Sequence, residues 1–216
     1  MHDTHETTLY CGGLCRQTDA AAAEQGCGEG GAKCGLCPLA GFYNSTAFGL
    51  PDVWEIGSGE MPEPYRSLLV HERDMTTTLE NFHGGRTHVR VLNSKVVNGV
   101  YQREVILALD ATNQPVEFGA VTIHLDVLPE KTQHTIISAR RPLGGILIEH
   151  GIRFQSRPKA FIRTISDDII GHALRVIPGQ ALYGRCNVLL TDHDQVIADI
   201  VEILPPVEQT AHPIST

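Results

Sequence analysis

No apolar run in this sequence is long enough to span a bilayer. No basic cluster stands out either: 17 Lys and Arg stand against 25 Asp and Glu, a formal charge of -8. Capture of a phosphate backbone needs grouped cations, so a nucleic acid is not the expected partner. The first residues, Met1 to Thr8, are polar and acidic, unlike a signal peptide. The expectation is a cytoplasmic protein whose partner is a small molecule, with no membrane role. Catalytic signatures are missing as well. There is no Gly-x-Ser-x-Gly elbow, phosphate-binding glycine loop or dinucleotide fingerprint, and the Gly144-Gly145 pair is too little to hold phosphate. The 11 histidines show neither His-Glu-x-x-His nor His-x-His spacing. No internal repeat is present.

Cysteine is nearly absent from the body of the chain. Of six, only Cys186 lies there, and the rest fall between Cys11 and Cys37. That first segment, residues 1–50, is rich in Gly and Ala and has almost no Val or Ile, so it offers little for a core. Its pattern is Cys11-x3-Cys15, then Cys27, then Cys34-x2-Cys37. Two closely spaced pairs are what a tetrahedral zinc or an iron–sulfur cluster needs. Cys11, Cys15, Cys34 and Cys37 are therefore candidate metal ligands, although the first pair is one residue longer than the usual knuckle. The alternative is a flexible tail with incidental thiols.

What remains suits one globular domain of ordinary size, residues 51–206, followed by a polar tail, 207–216. Residues 51–66 read as a connector interrupted by Pro51, Pro62 and Pro64. Helical spacing then places Leu68, Leu69, Met75, Leu79 and Phe82 on one side. Asp74 is set to cap the second of two short helices by accepting from Thr76 and Thr77, and Gly84-Gly85 stops it. Alternation from Thr87 to Val97, an Asn98-Gly99 turn, a return strand to Asp110 and a third strand from Pro115 to Leu125 predict an antiparallel meander. Pro129–Thr135 is a connector or short helix. Pro142 opens a helix that Gly151 ends. Ala160–Ile165 is a fourth strand, and Asp167 with Asp168 precedes a capped turn reaching Leu174. Leu182–Thr191 and Val196–Leu204 form a closing hairpin. The expected class is α+β: a single antiparallel sheet of about six strands, with three or four short helices over one side or the ends.

Charges stand out in two of the strands. Arg103 is the one guanidinium of the Tyr101–Leu107 run. Its guanidinium either reaches solvent at a rim, its stem along the sheet, or holds a carboxylate in bidentate fashion. In the last strand, strict alternation puts Glu202 on one face and Asp199 on the other, so only one of them is expected to point inward. Both are otherwise ordinary edge charges.

Taken in order, four stretches resemble the chorismate lyase family, over roughly residues 67–205. They are Asp74-Met75-Thr76 with Leu79-Glu80; Arg103-Glu104 followed by Gln114-Pro115; Pro142-Leu143-Gly144; and Tyr183-Gly184-Arg185 with the strand ending at Glu202. The resemblance implies a sheet with helices covering an internal ligand cavity, and elimination of pyruvate from chorismate to leave 4-hydroxybenzoate without metal or organic cofactor. It implies that Met75 and Leu143 line the pocket, that Arg103 holds a ring carboxylate, and that Glu202 meets the ring hydroxyl. Arg103 and Glu202 are thus the catalytic candidates. The same architecture also resembles effector-binding domains of bacterial transcription regulators, which implies the alternative of a non-catalytic domain that binds or senses small aromatic carboxylates.

Overall fold

A computed structural model describes residues 37–43, 49–138 and 140–207. Seven strands form one fully antiparallel sheet in the order β1-β5-β6-β7-β4-β3-β2. They are β1 Val53–Ile56, β2 Thr87–Val97, β3 Val100–Leu109, β4 Pro115–His124, β5 Gln155–Ile165, β6 Ala181–Leu190 and β7 Val196–Leu204. The described helices are α1 Cys37–Tyr43, α2 Tyr65–Leu69, α3 Met75–His83, α4 Glu130–Ser138, α5 Leu143–Glu149 and α6 Asp168–Leu174. The class is α+β, as expected. The expected six strands become seven because part of the presumed connector, β1, pairs with β5 at the sheet's edge.

Local chemistry sets the turns and caps. Asn98 and Gly99 both adopt positive φ, 50° and 78°, which joins β2 to β3 with the twist a hairpin needs. Asp74 caps α3 by accepting from the Thr77 amide at 2.8 Å, without the second bond from Thr76. Gly84 ends α3 in the left-handed conformation. Asp167 caps α6 through the Ile170 amide. Phe82, expected on the buried side of α3, is 42% exposed, because α3 buries only the narrow stripe of Met75 and Leu79. The strand expected from Ala160 starts at Gln155 and carries a bulge between Pro158 and Ala160. Proline is tolerated there because β1 covers only Phe161–Thr164, leaving Pro158 on an open edge.

Helices cover both faces of the sheet rather than one side. One face carries a single apolar cluster, including Ile106, Phe118, Ile162, Leu182 and Ile203, packed under α1 and α6. Within it, Leu39 and Tyr43 of α1 are 0% and 2% exposed. The expected boundary at residue 50 therefore does not hold for this helix, whose two large apolar side chains belong to the core. The other face carries two clusters. One lies under α2 and α3 around Leu69, Met75, Leu107 and Leu204. The second lies under α4 and α5 around Ile123, Ile136, Leu147 and Ile200. Coverage of both faces also resolves the last strand: Asp199 and Glu202 are both buried, at 6% and 5% exposure, on opposite sides.

Candidate functional site

Between the two clusters of the second face runs a strip of buried polar side chains. Pairing of Arg103 with Val121, of Gly119 with both Val105 and Glu202, and of Arg185 with Glu202 puts Arg103, Glu117, Arg185, Asn187 and Glu202 on one face. Above them the first turns of α3 and α5 meet: a Cβ on Gly144 would lie 2.9 Å from Asp74 Oδ1. Glycine is thus what lets α5 close against the cap of α3. Sheet and helix starts line a partly open cavity of about 90 Å³, room for several waters or a small ligand.

All four residues implied by the resemblance line this cavity: Met75 and Leu143 from the roof, Arg103 and Glu202 from the floor. Arg103 does not reach solvent at a rim, being 2% exposed. Its Nε and Nη1 have no hydrogen-bond partner among the described residues. Burial pushes its pKa down, partly countered by Tyr101. Glu202 is engaged otherwise: its carboxylate accepts from Arg185 Nε in a fully buried ion pair. Arg185 also donates through Nη1 to the carbonyls of Leu69 and His71, at 3.2 and 2.8 Å. That ties the α2–α3 connection to the sheet.

Sequence reasoning missed Arg185 and Glu117 as site residues. The signal that singled out Arg103, the one cation of its strand, applies equally to Arg185, the one charge of β6, and Glu117 is likewise the one carboxylate of β4. Glu117 is 8% exposed and lines the cavity. Burial first, and then the Glu202 and Asp74 carboxylates, push its pKa well above the usual range against the pull of Arg185.

Asp199 lies outside the cavity. It pairs with Lys159 Nζ at 3.1 Å and His124 Nε2 at 3.7 Å. Burial alone would raise its pKa, but these two partners bring it below the ordinary value. Cys11, Cys15, Cys27 and Cys34 lie outside the described residues, and Cys37 enters only as the first residue of α1. Among the described residues no group of three or more His, Cys, Asp or Glu is placed to hold a metal, and no helix is long and apolar enough to cross a membrane.

No protein-family model matches the sequence, and no curated protein matches it. Solved structures do. PhnF from Mycobacterium smegmatis is similar at 13% identity with a TM-score of 0.51, over 62% of this chain and 64% of that one. The chain thus spans less than two thirds of PhnF. The fold is chorismate lyase-like. The effector domain of PhnF, at 12% identity and TM-score 0.47, aligns over 61% of this chain and 87% of that one. A GntR-family transcriptional regulator from Enterococcus faecalis, at 11% and 0.41, aligns over 54% and 91%. At such identities the likeness concerns the chorismate lyase-like fold alone.

Proposed function

We propose that this domain binds a small organic carboxylate, aromatic or close to aromatic, in the cavity beneath α3 and α5. One observation carries the reading: Arg103, which lines the cavity, is a buried cation whose Nε and Nη1 have no partner among the described residues. Burying a charge without a counter-ion is costly. A ligand carboxylate supplies the missing partner in the fork geometry a guanidinium presents. The other cation of the floor, Arg185, is committed to Glu202. Arg103 is therefore the anchor, and Met75 and Leu143 supply the apolar walls a ring packs against.

A second reading, catalysis, draws on a separate fact. The stretches that resemble the chorismate lyases are dispersed over more than a hundred residues, yet they contribute to one cavity. Chorismate is primed to aromatise on losing pyruvate, so holding its carboxylates in a water-poor pocket is most of the task. No cofactor is needed in that reading.

The test is calorimetry with 4-hydroxybenzoate beside a pyruvate-release assay with chorismate, on the wild-type protein and Arg103→Met. The variant is expected to fold, since it removes an unpaired buried charge, and to bind at least about 100-fold more weakly, the usual cost of losing a buried charged anchor. Binding without pyruvate release supports the sensing reading, whereas release that Arg103→Met abolishes supports the lyase. Equal affinity in the two proteins would remove Arg103 from the site.

A further inference from the structure

Residues 70–74 join α2 to α3 and belong to no helix or strand. They matter to the cavity nonetheless, because Arg73 and Asp74 from this connection line it. Among the described residues, the hydrogen bonds that tie this part of the chain to the sheet all run to Arg185. Its Nη1 donates to the Leu69 carbonyl at 3.2 Å and to the His71 carbonyl at 2.8 Å, and it lies 3.3 Å from His71 Nδ1. One side chain of the floor thus holds one wall, and the ring of His71 is part of the fastening.

The geometry fixes which nitrogen of that ring carries the hydrogen. Two groups face Nδ1: Arg185 Nη1, and the Arg73 amide at 3.2 Å. A guanidinium and an amide N–H only donate, so Nδ1 accepts and is bare. The hydrogen is therefore on Nε2, which is buried without a hydrogen-bond partner among the described residues. The charges around the ring keep it neutral. From β6 it faces Arg185, and within its own connection Arg73. From β7, Glu202 is engaged by Arg185, and at the start of α3 Asp74 holds the Thr77 amide. Glu72, next in the chain, is exposed. Burial first, and then Arg185, push the His71 pKa below its ordinary value. Arg73 pushes the same way, against the pull of the Leu68 and His71 carbonyls.

Resting on the reading of the cavity as a ligand site, we infer that His71 is an acid-released latch on it: with Nδ1 bare the ring fastens residues 70–74 to Arg185, and uptake of a proton at Nδ1 frees that wall and weakens the hold on the ligand. A proton there would lie between two donors. Both hydrogen bonds to Nδ1 would become repulsions, and Arg185 keeps its own charge throughout. The fastened ring resists protonation, whereas the freed ring returns to the ordinary value of 6.5. The latch is therefore closed above about pH 6.5 and is lost as pH falls below it. Each pH unit below that value multiplies the opening by up to about tenfold, until the fastened ring itself titrates.

Hydrogen exchange of the Arg73 amide in the ligand-free protein reports the latch directly, since that amide donates to Nδ1. Between pH 7.5 and pH 5.5 its protection, corrected for the intrinsic pH dependence of exchange, is expected to fall by up to about tenfold while the amides of β4 keep theirs. In His71→Asn a side-chain oxygen takes the place of Nδ1 and binds no proton, so protection is expected to stay level. Equal protection at both pH values in wild type overturns the inference. So does a fall that persists in His71→Asn, or one that β4 shares. Calorimetry with 4-hydroxybenzoate at the same two pH values reads the consequence: affinity is expected to weaken several-fold in wild type and not in His71→Asn. Unchanged affinity while the Arg73 amide opens overturns the link from latch to ligand. A wild type that binds no 4-hydroxybenzoate at pH 7.5 counts against the reading of the cavity, and the exchange result then decides the latch by itself.

Discussion

The two faces of the sheet are built to different rules. Under α1 and α6 the side chains form one continuous apolar cluster. Under the other four helices the apolar side chains divide into two clusters, and the seam between them holds Arg103, Glu117, Arg185 and Glu202. The first face is apolar at its centre, with the buried carboxyls Glu104 and Asp199 beside the cluster and an opening of about 930 Å³ against α6 lined by Arg90, Asp168, His172 and Arg175. The second gives up apolar contact in its middle, where the guanidiniums of Arg103 and Arg185 and the carboxyls of Glu117 and Glu202 line one cavity. The difference lies in the middle of the second face, where charged side chains from four strands converge beneath the junction of two helix starts.

The largest effect is expected on the first face. Deleting residues 1–50 removes Leu39 and Tyr43, both almost fully buried. Each such side chain contributes roughly 1.5–3 kcal/mol, so denaturant unfolding should show a loss of about 3–6 kcal/mol or failure to fold. An unchanged midpoint would mean that α1 only rests on the sheet.

On the second face, Glu202→Leu leaves Arg185 buried without its carboxylate and should cost about 3–5 kcal/mol. Combining it with Arg185→Met should recover most of that, because the loss comes from the orphaned charge and not from a missing attraction. A double variant as unstable as the single one would show the seam to be ordinary core.

The smallest effect concerns pH. Glu104, on the α1 and α6 face toward the hairpin end of β3, has its pKa raised from 4.5 to about 7, by burial first and against the pull of Lys95. A raised carboxyl favours folding while protonated, so its contribution is complete below about pH 4.5 and is lost as pH rises to about 7. Glu117 acts in the same direction and Asp199 in the opposite one. Glu104→Gln should remove the part of the stability loss that ends near neutrality. Thermal melts at pH 5 and pH 8 measure it; an unaltered difference between them would exclude Glu104 as the source.

Much of this was legible in the residues. Asn98-Gly99, the Asp74 cap and the closing hairpin each carry their own local chemistry, so the meander and α3 emerged with nearly correct limits. Arg103 was legible because a lone cation in a strand that ends in an apolar run demands a partner or water. Three things were hidden. β4 and β7 are buried on both faces for most of their length, which erases the alternation that would show which side Asp199 or Glu202 takes. β1 and α1 are short and held only by distant contacts, β1 by β5 and α1 by the cluster under it. Glu117 and Arg185 show their importance only against one another, across strands that the sequence separates by some seventy residues.

The position of β7 has a consequence for how the chain reaches this state. β7 is the last strand in sequence, yet it lies in the sheet's middle, between β6 and β4. Until it is made, β2-β3-β4 and β1-β5-β6 are two separate three-stranded ribbons, each with an open edge where β7 belongs. Pairing of β7 with β6 is a local hairpin and already sets Glu202 opposite Arg185, whereas its pairing with β4 is a long-range event, late and slow by comparison. The two halves of the cavity floor, Arg185 with Glu202 and Arg103 with Glu117, are therefore made separately and meet only when β7 zips onto β4.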